Sequence, residues 1–245
     1  SVIASIALSK GKVKLARLNV SQSLLFVSVL TMVLSVLMMA DLNKTAYVLG
    51  SSDYLLPLVR DYLFWFVPTL VFEVVILISM FVIRLDGAPK FAMWFNLISS
   101  AINIVLDWLF IFPLQMGIGG AALATAISIF VGAVLSMWYL LFQAKSLRLY
   151  PLSIGLRGFY LFVKAIAGQC YVGMAALWTE AMLAVLMFMG NHIFMRYLGD
   201  NGVGAFGVSC YYIPFVYMVG NAIAQSAQPI ISYNYGAASG ERVRA

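Results

Sequence analysis

Three acids stand inside long apolar stretches of this sequence: Glu73, Asp107 and Glu180. An ionisable side chain is costly in apolar surroundings, so each is by default a functional candidate. Glu180 lies sixteen residues from both Lys164 and Arg196, which in a helix places it roughly 24 Å from either charge. A carboxylate in that position can bind a proton or a sodium ion, or pair with a cationic substrate. The alternative is an acid that only hydrogen-bonds to neighbouring helices.

Asp107 has an amide one helical turn before it. Asn103 and Asp107 are four residues apart, so in a helix the two side chains share a face and can jointly line a polar pocket. Asp107 also lies six residues before Pro113, roughly 9 Å along a helix, and the alternative is therefore a polar patch near the membrane interface. We interpret Glu73, which is central in its apolar run, as a buried and protonated structural acid; the alternative is a substrate contact.

Amide side chains recur in the last two apolar runs. They would contact substrate if they faced an aqueous cavity, but hydrogen bonds between helices are the more common use of such groups in membranes. The candidates for lining a cavity are Asn191, Asn221, Gln225 and Gln228. The single histidine, His192, is predicted to be interfacial, and Cys170 and Cys210 are predicted to be small buried thiols rather than metal ligands.

The composition decides which medium these residues occupy. Apolar residues make up 63% of the 245-residue chain and charged residues 10%, and the mean hydropathy is +0.98. Such a chain has too little polar surface for a water-soluble globule, so an integral membrane protein is predicted. The net charge of +6 comes from basic residues spread between apolar runs, which is typical of topogenic loops and not of a nucleic-acid-binding face.

Enzyme motifs do not occur in the sequence. A nucleotide-binding GxxxxGK[ST], a zinc-binding HExxH and a GxSxG nucleophile motif are all absent. Acids isolated on separate apolar helices do not make a hydrolytic site without a further nucleophile or metal. The sequence therefore predicts neither an enzyme nor a resident cofactor or metal.

The apolar runs predict an all-α, polytopic membrane protein with six spans. A helix needs about 20 residues to cross the hydrocarbon core. The runs lie at about 18–40, 62–83, 91–113, 119–142, 164–195 and 203–233. The sixth run contains Pro214 and Gly220 without a polar loop, so one kinked helix is predicted there. With the first loop in the cytoplasm, twelve of the fifteen basic residues fall on the cytoplasmic side, which supports this topology.

The two ends of the chain are similar to each other. The opening VIASIALSKGKVKLA and the closing PIISYNYGAASGERVRA both join the end of an apolar run to glycine, basic residues and alanine. Ser5 then corresponds to Ser232 and Gly11 to Gly240, at offsets of 227 and 229 residues. A repeat of that period with six spans predicts a twelve-span protein of two like bundles. The chain would hold the last part of one bundle and the first two spans of the next.

Several segments carry a resemblance to a known family. RLDGAPKFAM, NIVLDWLFI and MGIGGAALATAIS are similar to the arrangement in the multidrug and toxic compound extrusion (MATE) family, and TEAMLAVLMFMGNHIFMRYLGDNGVGAFGV and GNAIAQSAQPIISYNYGA resemble the opening two helices of its second bundle. The resemblance implies the following organisation: the end of helix two and helices three to six in 1–142, a cytoplasmic linker in 143–160, and the first two helices of the second bundle in 161–245.

The same resemblance implies a function and its residues. Family members exchange cationic or amphipathic drugs for sodium ions or protons. The acid in TEAML matches that of the family's seventh helix, which favours Glu180 as the coupling acid; the NxxxD pattern resembles the fifth helix, which gives Asn103 and Asp107 a role in cation coupling or substrate binding. A sodium ion would bind at Glu180 or Asp107.

Two other functions stay open. One is a flippase of lipid-linked oligosaccharides with the same fold, and the other is a membrane scaffold in which the acids are only structural. The expected surroundings are the lipid bilayer of the plasma (inner) membrane and small cationic or amphipathic substrates, without nucleic acid. A monomer is expected at full length.

Overall fold

The computed structural model describes residues 2–150 and 156–238, without the side chains of 156–161, 175, 200 and 211–217. Within these ranges every regular element is helical. The helices are α1 (Val2–Ser9), α2 (Val13–Ala40), α3 (Leu42–Val48), α4 (Leu56–Phe66), α5 (Leu70–Leu85), α6 (Pro89–Ile111), α7 (Gly117–Trp138) and α8 (Leu156–Gly236). A 3₁₀ turn, Val67–Thr69, joins α4 to α5, and a π-helical turn, Tyr139–Gln143, follows α7.

Five helical stretches in the described ranges are long and apolar enough to cross a membrane. They are Val13–Ala40, Leu56–Leu85, Pro89–Ile111, Gly117–Gln143 and Ala176–Gly199. Each overlaps one of the first five spans predicted from the sequence, so the prediction of an all-α, multi-pass membrane protein is confirmed. The sixth predicted span, 203–233, lies in the helical C-terminal part of α8, but the side chains around Pro214, where the kink was predicted, lie outside the described residues.

Proline and glycine shape the helices and the turns between them. Pro68 lacks a backbone N–H and interrupts the second span, and Thr69 Oγ1 donates a hydrogen bond of 2.6 Å to the Phe66 carbonyl at this turn. Pro89 occupies the first turn of α6, where a missing N–H costs nothing. The turn before it contains Gly87 at φ 86°, a conformation that favours glycine.

Gly199 divides α8 into two arms, residues 156–198 and 200–236, named here the first and second arm. Its backbone angles, φ 64° and ψ −159°, are accessible to glycine and strained for other residues. The arms contact each other beyond this break, because the rings of Phe194 and Phe206 stack with centroids 4.8 Å apart. The break falls between the fifth and sixth predicted spans, as the sequence predicted.

The end of α7 is held to the α5–α6 turn by a single carboxylate. Asp86 accepts four hydrogen bonds of 2.7 to 3.0 Å. They come from the Tyr139 hydroxyl and from the backbone N–H groups of Lys145, Ser146 and Leu147. Arg17 of α2 donates from Nε to the Ser146 carbonyl at 2.7 Å. These contacts, named here the Asp86 clamp, fasten the beginning of the predicted linker 143–160 to α2 and α5; residues 151–155 of that linker lie outside the described ranges.

The short helix α1 packs against the second arm of α8. Ser5, which is buried, donates from Oγ to the Pro229 carbonyl at 3.3 Å. Gly236 is packed so closely on the Ser9 side chain and the Ile6 backbone that there is no room for a Cβ atom. The two segments that resemble each other in sequence therefore contact each other in space.

Candidate functional site

The interface of α6 and α7 brings Asp107 and Asn103 next to a threonine. Asn103 donates from Nδ2 to Thr125 Oγ1 at 3.4 Å, and Thr125 Oγ1 donates to the Ala121 carbonyl at 3.0 Å. Small residues on α7, including Ala122 and Ala124, are fully buried and allow the two helices to approach closely. The amide, one helical turn before Asp107, is thus bonded to the hydroxyl on the facing helix.

Asp107 carries the unsatisfied group of this site. Its Oδ1 atom is buried and has no hydrogen-bond partner within the described part of the chain. A buried carboxylate oxygen without a partner is costly, and binding a cation or a proton removes that cost. Carboxylate, amide and hydroxyl oxygens are hard donors that suit a proton or a small alkali ion better than a soft metal.

The polar residues continue along the same helix interface toward the predicted cytoplasmic side. On α6 they recur every three or four residues, and on α7 they face the same interface. We call this set the polar seam, formed by Asp107, Asn103, Ser99 and Asn96 of α6 with Thr125, Ser128 and Ser136 of α7. Ser99 Oγ donates to the Ser128 carbonyl at 2.7 Å and closes the seam at its middle.

Glu73 lies at the far end of the seam from Asp107. It lines a cavity of about 80 Å³ between α5, α6 and α7, together with the seam residues Asn96, Ser99 and Ser136. Its position there depends on the rotation of α5 against α6 and α7, which no local sequence pattern encodes.

Glu180 has different surroundings. Its side chain is exposed on the first arm of α8, and among the described residues it forms no hydrogen bond or ion pair. No described hydrogen bond or ion pair joins it to Asp107. The two acids that the sequence paired as coupling candidates therefore belong to separate places in this chain.

The four candidate amides are dispersed. Asn191 donates from Nδ2 to the Leu49 carbonyl at 3.5 Å, at the predicted outer side, and Gln225 donates from Nε2 to Asn221 Oδ1 at 3.3 Å. Gln228 lines a cavity of about 390 Å³ bounded by α1, α2, α5 and both arms of α8. Of the four, Gln228 is the one that lies beside a cavity between α8 and the earlier helices.

Sequence reasoning missed Gln169, which lies in the same cavity. Ser23 of α2 donates to Gln169 Oε1 at 2.6 Å, and Gln169 Nε2 donates to Asn19 Oδ1 at 3.4 Å. Asn19 and Gln169 fall on predicted loop-proximal stretches, and only their juxtaposition reveals them. A separate cavity of about 590 Å³ lies between Arg84, Asn96 and Ser226. Its volume is within the range of small-molecule sites.

Apolar membrane-spanning helices with isolated acids and cavities between helices are features that secondary transporters share. The MatE family model matches residues 1–109. The multidrug export protein MepA of Staphylococcus aureus is 25% identical over 199 residues, which are 81% of this chain and 43% of that protein. MepA of Staphylococcus saprophyticus is 25% identical over 194 residues, 79% of this chain and 42% of that protein.

Solved structures agree on the fold. A MOP superfamily transporter from Pyrococcus furiosus superposes with a TM-score of 0.79 at 22% identity, covering 99% of this chain and 53% of that one. The Vibrio cholerae MATE transporter VcmN in the bent form gives a TM-score of 0.75 at 20% identity, covering 99% and 54%. Residues 1–109 thus match the family model, and about four fifths of the chain is similar to MepA, in agreement with the resemblance to the MATE family that the motifs indicated.

The chain spans about half the length of the curated relatives it matches. The relatives carry the names of export proteins, and the solved structures those of transporters.

Proposed function

We propose that this chain is part of an exporter that moves cationic or amphipathic small molecules out of the cell across the plasma (inner) membrane, in exchange for sodium ions or protons. The observation that carries the proposal is the buried, unpartnered Oδ1 of Asp107 beside the Asn103–Thr125 hydrogen bond. The relatives named multidrug export proteins support the direction and the substrate class.

The proposed coupling follows from charge. The carboxylate of Asp107 is a partly buried negative charge, and a cation bound there neutralises it. Asn103 and Thr125 lie on different helices, so a cation that draws their oxygen atoms toward Asp107 changes the contact between α6 and α7. A cationic substrate in the transport pathway is attracted by the charged carboxylate and released when a cation neutralises it. Loading by the ion thus opposes loading by the substrate.

In this scheme Glu180 is a second cation-binding acid, located in the second bundle. An acid at the centre of a membrane span can bind an ion or a cationic substrate. Neutralising the charges of Asp107 on α6 and Glu180 on α8 would allow the two predicted bundles to move relative to each other.

The test is ion-driven transport of a fluorescent cationic dye in inverted membrane vesicles that contain the full-length protein. We expect Asp107→Asn to lower the initial transport rate by about tenfold or more, because the neutral amide no longer needs a cation. The matched control is Asp61→Asn, an exposed acid on α4, which should transport as the unmodified protein does. Unchanged ion-driven transport in Asp107→Asn would contradict the proposal.

Imposing a sodium gradient and a proton gradient separately identifies the coupling ion. Transport of a lipid-linked oligosaccharide without movement of the dye would also contradict export and favour the flippase.

A further inference from the structure

The cavity beside Glu73 has the chemistry of an ion site. Glu73 provides a carboxylate from α5, Ser99 and Asn96 provide a hydroxyl and an amide from α6, and Ser136 provides a hydroxyl from α7. All are oxygen-bearing side chains, and the described lining contains no basic residue. Oxygen ligands of this kind suit hard cations.

Ser136 contributes an unpartnered hydroxyl to the cavity. It is fully buried, and its Oγ atom has no hydrogen-bond partner within the described part of the chain. An unsatisfied buried hydroxyl costs about 1–3 kcal/mol. Ser99 already donates its proton to the Ser128 carbonyl, so the lone pairs of its oxygen remain free to coordinate a cation.

The size of the cavity limits the occupant. A volume of about 80 Å³ holds an ion with one or two water molecules. Drug-sized ligands need sites of about 300–1,000 Å³, so the exported substrate does not fit.

The charge of the cavity selects a monovalent ion. One carboxylate neutralises one positive charge, whereas a divalent ion would leave a buried surplus charge, which is costly in a low-dielectric interior. The described lining contains no histidine or cysteine, and no group of three His, Cys, Asp or Glu side chains that could hold a metal ion occurs in the described residues. A transition metal site is therefore not favoured.

We propose that Glu73, Ser99 and Ser136 form a further alkali-cation site of sodium size. It lies between α5, α6 and α7 and is separate from both Asp107 and Glu180. Ser99 and Asp107 are eight residues apart on α6, roughly 12 Å along the helix axis. The polar seam joins the two positions, so a cation that leaves Asp107 toward the cytoplasm reaches oxygen ligands again at Glu73. This site goes beyond the proposed function, which requires only Asp107 and Glu180.

The proposal revises the interpretation of Glu73 as a protonated structural acid. A protonated carboxyl would need no cation, whereas a carboxylate beside the unpartnered Ser136 hydroxyl gains from one. The two interpretations differ in whether sodium binds.

The test is equilibrium binding of ²²Na⁺ to the full-length protein purified in detergent at pH 8. In a background of Asp107→Asn and Glu180→Gln, we expect saturable sodium binding to persist, and Glu73→Gln added to that background should remove one equivalent per protein. Sodium should also raise the Tm of the background protein relative to potassium, and this shift should vanish with Glu73→Gln. Equal sodium stoichiometry with and without Glu73→Gln would overturn the proposal.

A pair of glycine variants on α7 provides the matched control. A Cβ atom at Gly132 would lie 3.0 Å from Ile76 Cδ1 and 3.2 Å from Ser99 Oγ, inside the cavity lining, whereas at Gly119 it would meet no described atom within 4 Å. Gly132→Ala should weaken sodium binding in the background protein by about fivefold or more, and Gly119→Ala by less than about twofold. Equal affinities in the two variants would contradict an ion in this cavity.

The outcome is distinguishable from failure of the proposed function. Dye transport by Asp107→Asn tests the export scheme, and the sodium stoichiometry of Glu73→Gln tests the site at Glu73.

Discussion

Two acids of the same predicted role occupy different surroundings in this chain. Asp107 lies between α6 and α7 with an amide and a hydroxyl fixed beside it, while Glu180 is exposed on the first arm of α8. The sequence ranked Glu180 as the better coupling acid because it is central in its span. In this chain the facing helix α7 supplies a hydroxyl to the Asn103–Asp107 face of α6, whereas no described residue bonds to Glu180.

The helices around the two acids differ in the same way. Helices α1, α2, α5 and α6 share a packed core with the segment after α7, with fully buried side chains such as Ile83 and Leu140. Along α8, large apolar side chains such as Met182 and Tyr197 are more than 70% exposed. Exposed apolar surface of this extent is covered by lipid or by other helices in a membrane protein. We expect further helices of the second bundle to cover α8, in line with the predicted two-bundle architecture.

The largest effect should come from removing the Asp86 clamp. Asp86→Ala deletes a carboxylate that accepts four hydrogen bonds and leaves three backbone N–H groups without this partner. We expect a loss of about 2–4 kcal/mol in the free energy of unfolding, because hydrogen bonds to a charged group are worth more than neutral ones. Denaturation of the purified full-length protein measures it.

The control for the clamp is Asp61→Ala, an exposed acid on α4 that should change stability by less than about 0.5 kcal/mol. If the two variants were equally stable, the packing of α2, α5 and α7 would not depend on the clamp. The contrast between these helices and α8 would then weaken.

The next effect concerns the contact between α1 and the second arm of α8. Gly236→Ala places a methyl group where the Ser9 side chain and the Ile6 backbone already pack, so α1 must move away from the second arm of α8. Overpacking of this kind costs about 1–3 kcal/mol. Thermal unfolding of the full-length protein should show the loss.

Two further variants sharpen that result. Ser9→Ala combined with Gly236→Ala should recover part of the loss, because the shorter side chain removes one of the two contacts. Gly220→Ala, where no described atom lies within 4 Å of the added Cβ, should not destabilise the protein. Equal losses at Gly236 and Gly220 would contradict close packing between α1 and α8.

The positions of the spans were predictable because charges and helix breakers bound each apolar run. The pairing of Asn103 with Asp107 was also predictable, since a spacing of four residues fixes a shared helix face. Thr125 was not, because the side of α7 that meets α6 depends on packing. The cavity of Glu73 depends likewise on how α5 is rotated, and the Asp86 clamp depends on a loop that returns to the α5–α6 turn. Contacts between elements distant in sequence leave no local pattern.

The smallest change in stability should come from Glu180→Gln. The Glu180 side chain is exposed and has no hydrogen-bond or ion-pair partner in the described ranges, so its neutralisation should alter the free energy of unfolding by less than about 0.5 kcal/mol. Ion-driven dye transport should nevertheless fall, because the proposed scheme uses this charge to bind a cation or a cationic substrate. Stability and transport should be measured on the same preparation of the full-length protein.

Loss of transport at unchanged Tm would make Glu180 a functional acid whose surroundings are completed only in the working transporter. Unchanged transport would remove Glu180 from the scheme and leave the polar seam between α6 and α7 as the place where cations bind. A large loss of stability would instead show that Glu180 is packed and bonded at full length, and the contrast with Asp107 would then reflect only the part of the protein that this chain contains.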